Sequence, residues 1–246
     1  MGRAGHYPDW KGGLAKWFKP IHHTAMKLYL SSMMIGNHPE RLLAMSGGKG
    51  ARMAVVTNAL DYISFEDRLV HTQTKFDPMI YFGEAGYDPS IIDLRNYFGR
   101  PHDLQRVLSR YQVVWALGGN AFLLRRAIQA SGFDTIIHSL LDEGLVYSGW
   151  SAGACVAGNS LRPIALMDEP ETLAAGYPDT PPIWEGMGLV PYTIIPHYQS
   201  DHPESDAAAL ATEWAKTNGF DHVALRDGEV IAGEGGELCV IGGTSS

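Results

Sequence analysis

The feature that most constrains this chain is an alternation. Four apolar, strand-like runs (KLYLSS from Lys27, RMAVVTNAL from Arg52, SIIDLRNY from Ser90 and YQVVWALGG from Tyr111) are each followed by a stretch of helical character. Strands joined through helices pair in parallel, and a parallel sheet must be covered on both faces to be buried. The pattern therefore predicts an α/β fold with a mostly parallel central sheet between helices.

The remaining segments extend the pattern. Residues 121–131 have helical periodicity and stop at Gly132; a second helix is expected from a cap at Asp134 to Gly144. A fifth strand, GLVYSGW, leads into Ser151. YTIIPHY reads as another strand, and PESDAAALATEWAKTNG as a helix closed by Gly219. In the tail, the Asp227-Gly228 pair between two strand-like runs predicts an antiparallel hairpin. Without repeats or a linker, residues 26–246 read as a single domain. Residues 1–25, rich in Gly, Trp and basic side chains, read as a peripheral N-terminal extension.

Composition narrows the function classes. The chain has 246 residues with 19 Lys and Arg against 27 Asp and Glu, a formal charge of -8. It contains no basic run that could track a phosphate backbone, so nucleic acid is not an expected partner. No apolar stretch reaches the roughly 20 residues of a bilayer span, and no secretion signal opens the chain, so neither a membrane nor export is expected. The reading is a cytoplasmic protein. Two cysteines, Cys155 and Cys239, lack the spacing of a redox or metal pair and read as small buried hydrophobes.

The chemistry centres on VYSGWSAGACVAG. Gly149-Trp150-Ser151-Ala152-Gly153 fits G-x-S-x-G, the tight strand-to-helix turn that holds a nucleophilic serine in a strained backbone. At such a turn the N–H of Ala152 can face a developing oxyanion. A second turn of small residues, Gly118-Gly119-Asn120, ends another strand at the same sheet edge, and Gly118 or Gly119 can supply a second donor. The serine needs a base. His197, at the end of the strand YTIIPHY, lies on that edge, whereas His202 before Pro203 is expected to cap the next helix or face solvent. His197, Asp201 and His202 lack a second ligand pair with metal spacing, so no metal is expected. The acid that orients the base is expected between Ser151 and His197, where Asp168, Glu169, Glu171, Asp179 and Glu185 all qualify.

These segments together resemble the dipeptidase E, or α-aspartyl dipeptidase, family of serine peptidases, which includes cyanophycinase. The resemblance runs from Met26 nearly to the end, through MKLYLSS, LGGNAFLLRRAIQASGFD, GWSAGACVAG and IIPHYQSDHPESD. It implies the three-layer α/β sandwich of the class I glutamine amidotransferases, and a Ser-His-Asp/Glu triad that acts on short peptides without a cofactor. Carried over, Ser151 matches the nucleophile, His197 the base, and Gly119 with Ala152 the oxyanion donors. MDEP resembles the family's Asp-x-Pro and favours Asp168 as the acid, while the cyanophycinase pattern favours Glu169. Asn120 and Arg162 are the implied substrate-binding residues. The family's Gly-Glu-Thr-Arg stretch, whose arginine is thought to bind an acidic substrate side chain, is replaced here by HPESDAAAL. A monomer or homodimer acting on a short peptide is the resulting expectation. The competing readings are an esterase using the same triad and an inactive binding or sensing protein of the same fold.

Overall fold

The computed structural model describes residues 26–74, 76–235 and 237–242; the predicted N-terminal extension lies outside them. Nine strands are β1 (Lys27–Ser31), β2 (Arg52–Val56), β3 (Asp88–Ile92), β4 (Val113–Ala116), β5 (Val146–Trp150), β6 (Thr193–Ile195), β7 (His222–Ala224), β8 (Val230–Glu234) and β9 (Glu237–Ile241). Among the described residues eight α-helices accompany them: α1 (Pro39–Met45), α2 (Phe65–Thr74), α3 (Pro78–Glu84), α4 (Pro101–Leu108), α5 (Ala121–Ser131), α6 (Phe133–Asp142), α7 (Ala152–Cys155) and α8 (Ser205–Thr217).

Seven strands form the central sheet in the order β3-β2-β4-β5-β1-β8-β9. The first five in that order are parallel, and β8 and β9 close the edge antiparallel. Side-chain alternation explains why both faces need cover. In β4, Val114 and Ala116 join one buried cluster with α4, α5 and α6, while Val113 and Trp115 join a second with α1 and α3. β1 divides the same way, Leu28 and Leu30 against Tyr29. The expected three-layer α/β sandwich with a mostly parallel sheet is what the chain adopts.

Three local expectations are corrected. Helix α6 starts at Phe133, because Gly132, in the left-handed conformation at φ 71°, both ends α5 and opens α6; Asp134 instead pairs with Arg125 at 2.8 Å. The C-terminal antiparallel hairpin exists, but it is β8–β9, in which Glu234 pairs with Glu237, and it does not turn at Asp227-Gly228. The run before Asp227, β7, pairs in parallel with β6 to make a separate two-stranded sheet. Finally, Cys155 is buried whereas Cys239 is only partly so.

Candidate active site

Ser151 connects β5 to α7 with φ 47° and ψ -115°, a backbone that costs energy for any residue bearing a Cβ. Its neighbours are small because β4 lies against the turn. A Cβ on Gly149 would come within 2.7 Å of the Ala116 carbonyl oxygen, and one on Gly153 would collide with the same group. The glycines thus let the elbow sit directly on the adjoining strand. The Ser151 N–H donates to the carbonyls of Ser31 (3.1 Å) and Ser32 (3.2 Å) at the end of β1, which fixes the strained residue in place. Helix α7 is a single turn, so what it offers an oxyanion is the N–H of Ala152, which has no hydrogen-bond partner among the described residues.

The second turn lies where it was expected. A Cβ on Gly118 would come within 3.3 Å of the Ser151 Cβ, so the β4–α5 turn borders the serine. Gly119 has φ 134°, and a Cβ there would be 2.5 Å from the Ala59 carbonyl oxygen; glycine is required on both counts. Neither Gly118 nor Gly119 has its N–H bonded among the described residues. Asn120 caps α5, its Oδ1 accepting from the Leu123 N–H (2.8 Å) while its Nδ2 donates to the Glu169 carbonyl (3.0 Å) and to Thr172 Oγ1 (3.1 Å). Its carboxamide, expected to bind substrate, holds the turn through these three bonds.

His197 follows β6 and is 1% exposed, with φ 62°. Its Nδ1–H donates to Asp227 Oδ1 at 2.8 Å, leaving Nε2 as the free ring nitrogen, 3.9 Å from Glu204 Oε2. Burial pushes the imidazole below its ordinary pKa; the Asp227 carboxylate pulls it back up, His202 pushes it further down, and Glu204 opposes that. The ring of His202 stacks flat on that of His197, with centroids 3.7 Å apart and planes within 9°. His202 Nδ1 also accepts from the Glu204 N–H at 3.2 Å, just before α8, so the expected capping role is accompanied by contact with the base.

The carboxylate bonded to His197 is neither of the two expected residues. Asp168 Oδ2 accepts the Ala121 N–H at 2.8 Å, at the first turn of α5, and burial raises its carboxyl to about 7. Glu169 is exposed and meets the site only through its backbone carbonyl on Asn120. Both support the Gly118–Asn120 turn, and the carboxylate on His197 belongs to Asp227. The cause is the small sheet: parallel pairing of β6 and β7, continued by the Tyr198 N–H to Leu225 carbonyl bond (2.9 Å), carries His197 and Asp227 to the same strand ends. Sequence reading missed Asp227 by assigning it to a hairpin turn. A parallel pairing of TII with HVA was the available signal, because strand ends in an α/β fold border the ligand crevice. Arg162, expected to bind substrate, lies at the surface. Its exposed guanidinium lies 5.3 Å over the Trp184 ring and has no carboxylate partner among the described residues.

His197, His202 and Glu204 bring one ligand-type atom each within 4.8 Å of one another. An imidazole nitrogen binds an ion in its ring plane, and one ion shared by two parallel rings 3.7 Å apart would lie well outside both planes. The trio is not arranged as a metal centre.

Residues 42–241 match peptidase family S51. The chain belongs to that family of serine-type peptidases. It is 32% identical over 200 residues to Peptidase E of Streptomyces coelicolor, covering 79% of this chain and 72% of that protein. It is 30% identical over 146 residues to the "Probable alpha-aspartyl dipeptidase" of Drosophila melanogaster, 57% of each chain. Among solved structures, a candidate peptidase E from Listeria monocytogenes EGD-e superposes with a TM-score of 0.70 at 16% identity, covering 89% of this chain and 99% of that one. A peptidase from an acI-B1 Actinobacterium gives 0.63 at 15%, over 90% and 89%. These two likenesses are of fold. No helix among the described residues is long and apolar enough to cross a membrane.

Proposed function

We propose that this S51 chain is a dipeptidase-like enzyme that hydrolyses short peptides through an acyl-enzyme, with Ser151, His197 and Asp227 as its triad. The observation that carries the reading is the 2.8 Å bond from His197 Nδ1–H to Asp227, together with a serine held at φ 47°. Asp227 holds the imidazole with Nε2 unprotonated, so that Nε2 can take the Ser151 hydroxyl proton as Oγ attacks the scissile carbonyl. Negative charge then develops on the carbonyl oxygen, where the N–H groups of Ala152 and of Gly118 or Gly119 can receive it. His197 returns the proton to the leaving amine as the C–N bond breaks. A water then attacks the acyl-enzyme by the same route, releasing the acid and restoring the serine.

The surroundings argue against a requirement for an acidic N-terminal residue. Burial is the main cause that raises Tyr62, Cys155 and Asp168, and acidic neighbours add to it, Asp168 and Glu204 on Tyr62 and Cys155 and Glu204 on Asp168, so the groups around the site are acidic rather than cationic. A cytoplasmic location and action as a monomer or homodimer belong to the same reading. The test is hydrolysis of a dipeptide and tripeptide library, with Asp-X members included, by wild type and Ser151→Ala, read by mass spectrometry. Serine-dependent cleavage with no preference for Asp-X is expected. Turnover of p-nitrophenyl esters with the peptides untouched favours the esterase, and no turnover with either favours the binding protein.

A further inference from the structure

Ser32, directly after β1, is fully buried and belongs to none of the motifs considered so far. It touches each member of the triad through a different bond. Its carbonyl accepts the Ser151 N–H at 3.2 Å. Its Oγ accepts the His197 N–H at 2.8 Å and donates to Asp227 Oδ1 at 2.7 Å. The Leu225 carbonyl, at 3.4 Å, is the poorer acceptor for that one hydroxyl hydrogen, since the carboxylate is both nearer and charged. Nucleophile and base come from different sheets, and the acid from the turn that joins the sheets; Ser32, just past the end of β1 in the larger sheet, is where the three converge.

We infer that Ser32 is the positioning residue of the triad, setting the strained backbone of His197 and the orientation of the Asp227 carboxylate with a single hydroxyl. The inference rests on the triad proposed above. A hydroxyl accepts and donates through one atom, so Ser32 can serve the His197 N–H and Asp227 Oδ1 at once. That oxygen accepts from Ser32 and from His197 Nδ1–H together, so the serine hydroxyl also takes up part of the carboxylate's charge. Without it, more of that charge faces the imidazole, and the protonated ring is stabilised.

The test compares Ser32→Ala with wild type, counting active sites with a fluorophosphonate, and follows the His197 ring by NMR titration. Ser32→Ala is expected to lower kcat per labelled site on the order of 100-fold with KM within about twofold, as a misplaced catalytic group does. It is also expected to raise the His197 pKa, moving the acid limb of kcat/KM to higher pH. The charged groups facing His197 are otherwise unchanged: Asp227 from the β7–β8 turn, and His202 and Glu204 before α8. A serine with a merely structural role reduces the number of labelled sites and leaves kcat per site and the ring pKa alone; that outcome overturns the inference. If Ser32→Ala does not fold, Ser32→Cys keeps the size with a weaker donor and is expected to shift the ring pKa in the same direction, an unchanged value overturning the inference. A wild type without peptidase activity, but with a His197 pKa that rises in the variant, overturns the functional proposal and sustains the positioning role.

Discussion

The proposed active site is assembled from two regions built in opposite ways. The nucleophile region, from β4 through Gly118-Gly119 and from β5 through Ser151, is local: strand, tight turn and helix follow one another in sequence, and small residues mark the turns. The base and acid region is nonlocal. His197 and Asp227 each follow a three-residue strand, and they meet because those strands pair in parallel outside the main sheet. The comparison teaches that a strained elbow announces itself in composition, while a carboxylate that orients a base needs only the right neighbour in space. Any of the acids between Ser151 and His197 satisfied the sequence criterion; none of them is the one bonded to the imidazole.

The contrast can be broken or sharpened by experiment. The largest effect belongs to the local region: Ser151→Ala should lower kcat on the order of 10,000-fold or more with the melting temperature close to wild type. A loss below tenfold places the nucleophile elsewhere. Next, Asp227→Asn should cost about 10,000-fold in kcat, the loss seen when a triad aspartate is amidated and the imidazole tautomer reversed. Asp168→Asn, which disturbs only the brace of the oxyanion turn, should cost less, on the order of 10- to 100-fold. Parallel kinetics of the two variants decide the acid, and equal losses would reject Asp227.

Asp168 also predicts a dependence of stability on pH. Its folded pKa, raised to about 7 by burial, lies above the ordinary 3.8. The folded state therefore holds a proton that the unfolded state releases, and this contribution is complete below pH 3.8 and lost as pH rises through 7. Thermal melts should show the Asp168→Asn variant losing less stability than wild type over that interval. The smallest effect concerns His202. With His197 below its ordinary 6.5, the acid limb of kcat/KM should fall beneath that pH, because the neutral imidazole is the active form. His202→Phe keeps the stacked ring but removes a group that disfavours the imidazolium, so the limb should move upward by less than about one unit. A limb that moves downward contradicts the electrostatic coupling of the two rings.

The parallel sheet, its helical cover, the elbow and the glycine turn were legible in the residue order because each rests on contacts between close neighbours or on hydrophobic periodicity. Burial on both sheet faces requires continuous apolar strands, and the close approach of β5 and α7 to Ala116 requires Gly149 and Gly153. Asp227 read as a hairpin residue because Asp-Gly is a common turn pair; Asn120 read as a free polar group because its three bonds come from residues as distant as Thr172. Ser32 carried no signal, as a serine after a strand is unremarkable until its partners are known. The sequence by itself thus determined the architecture and the strained elbow at Ser151, whose requirements are steric and local. Only the tertiary structure decided which carboxylate orients the base and which hydroxyl joins the three groups, because hydrogen bonds between distant segments depend on the pairing of β6 with β7 and leave no period or spacing in the chain.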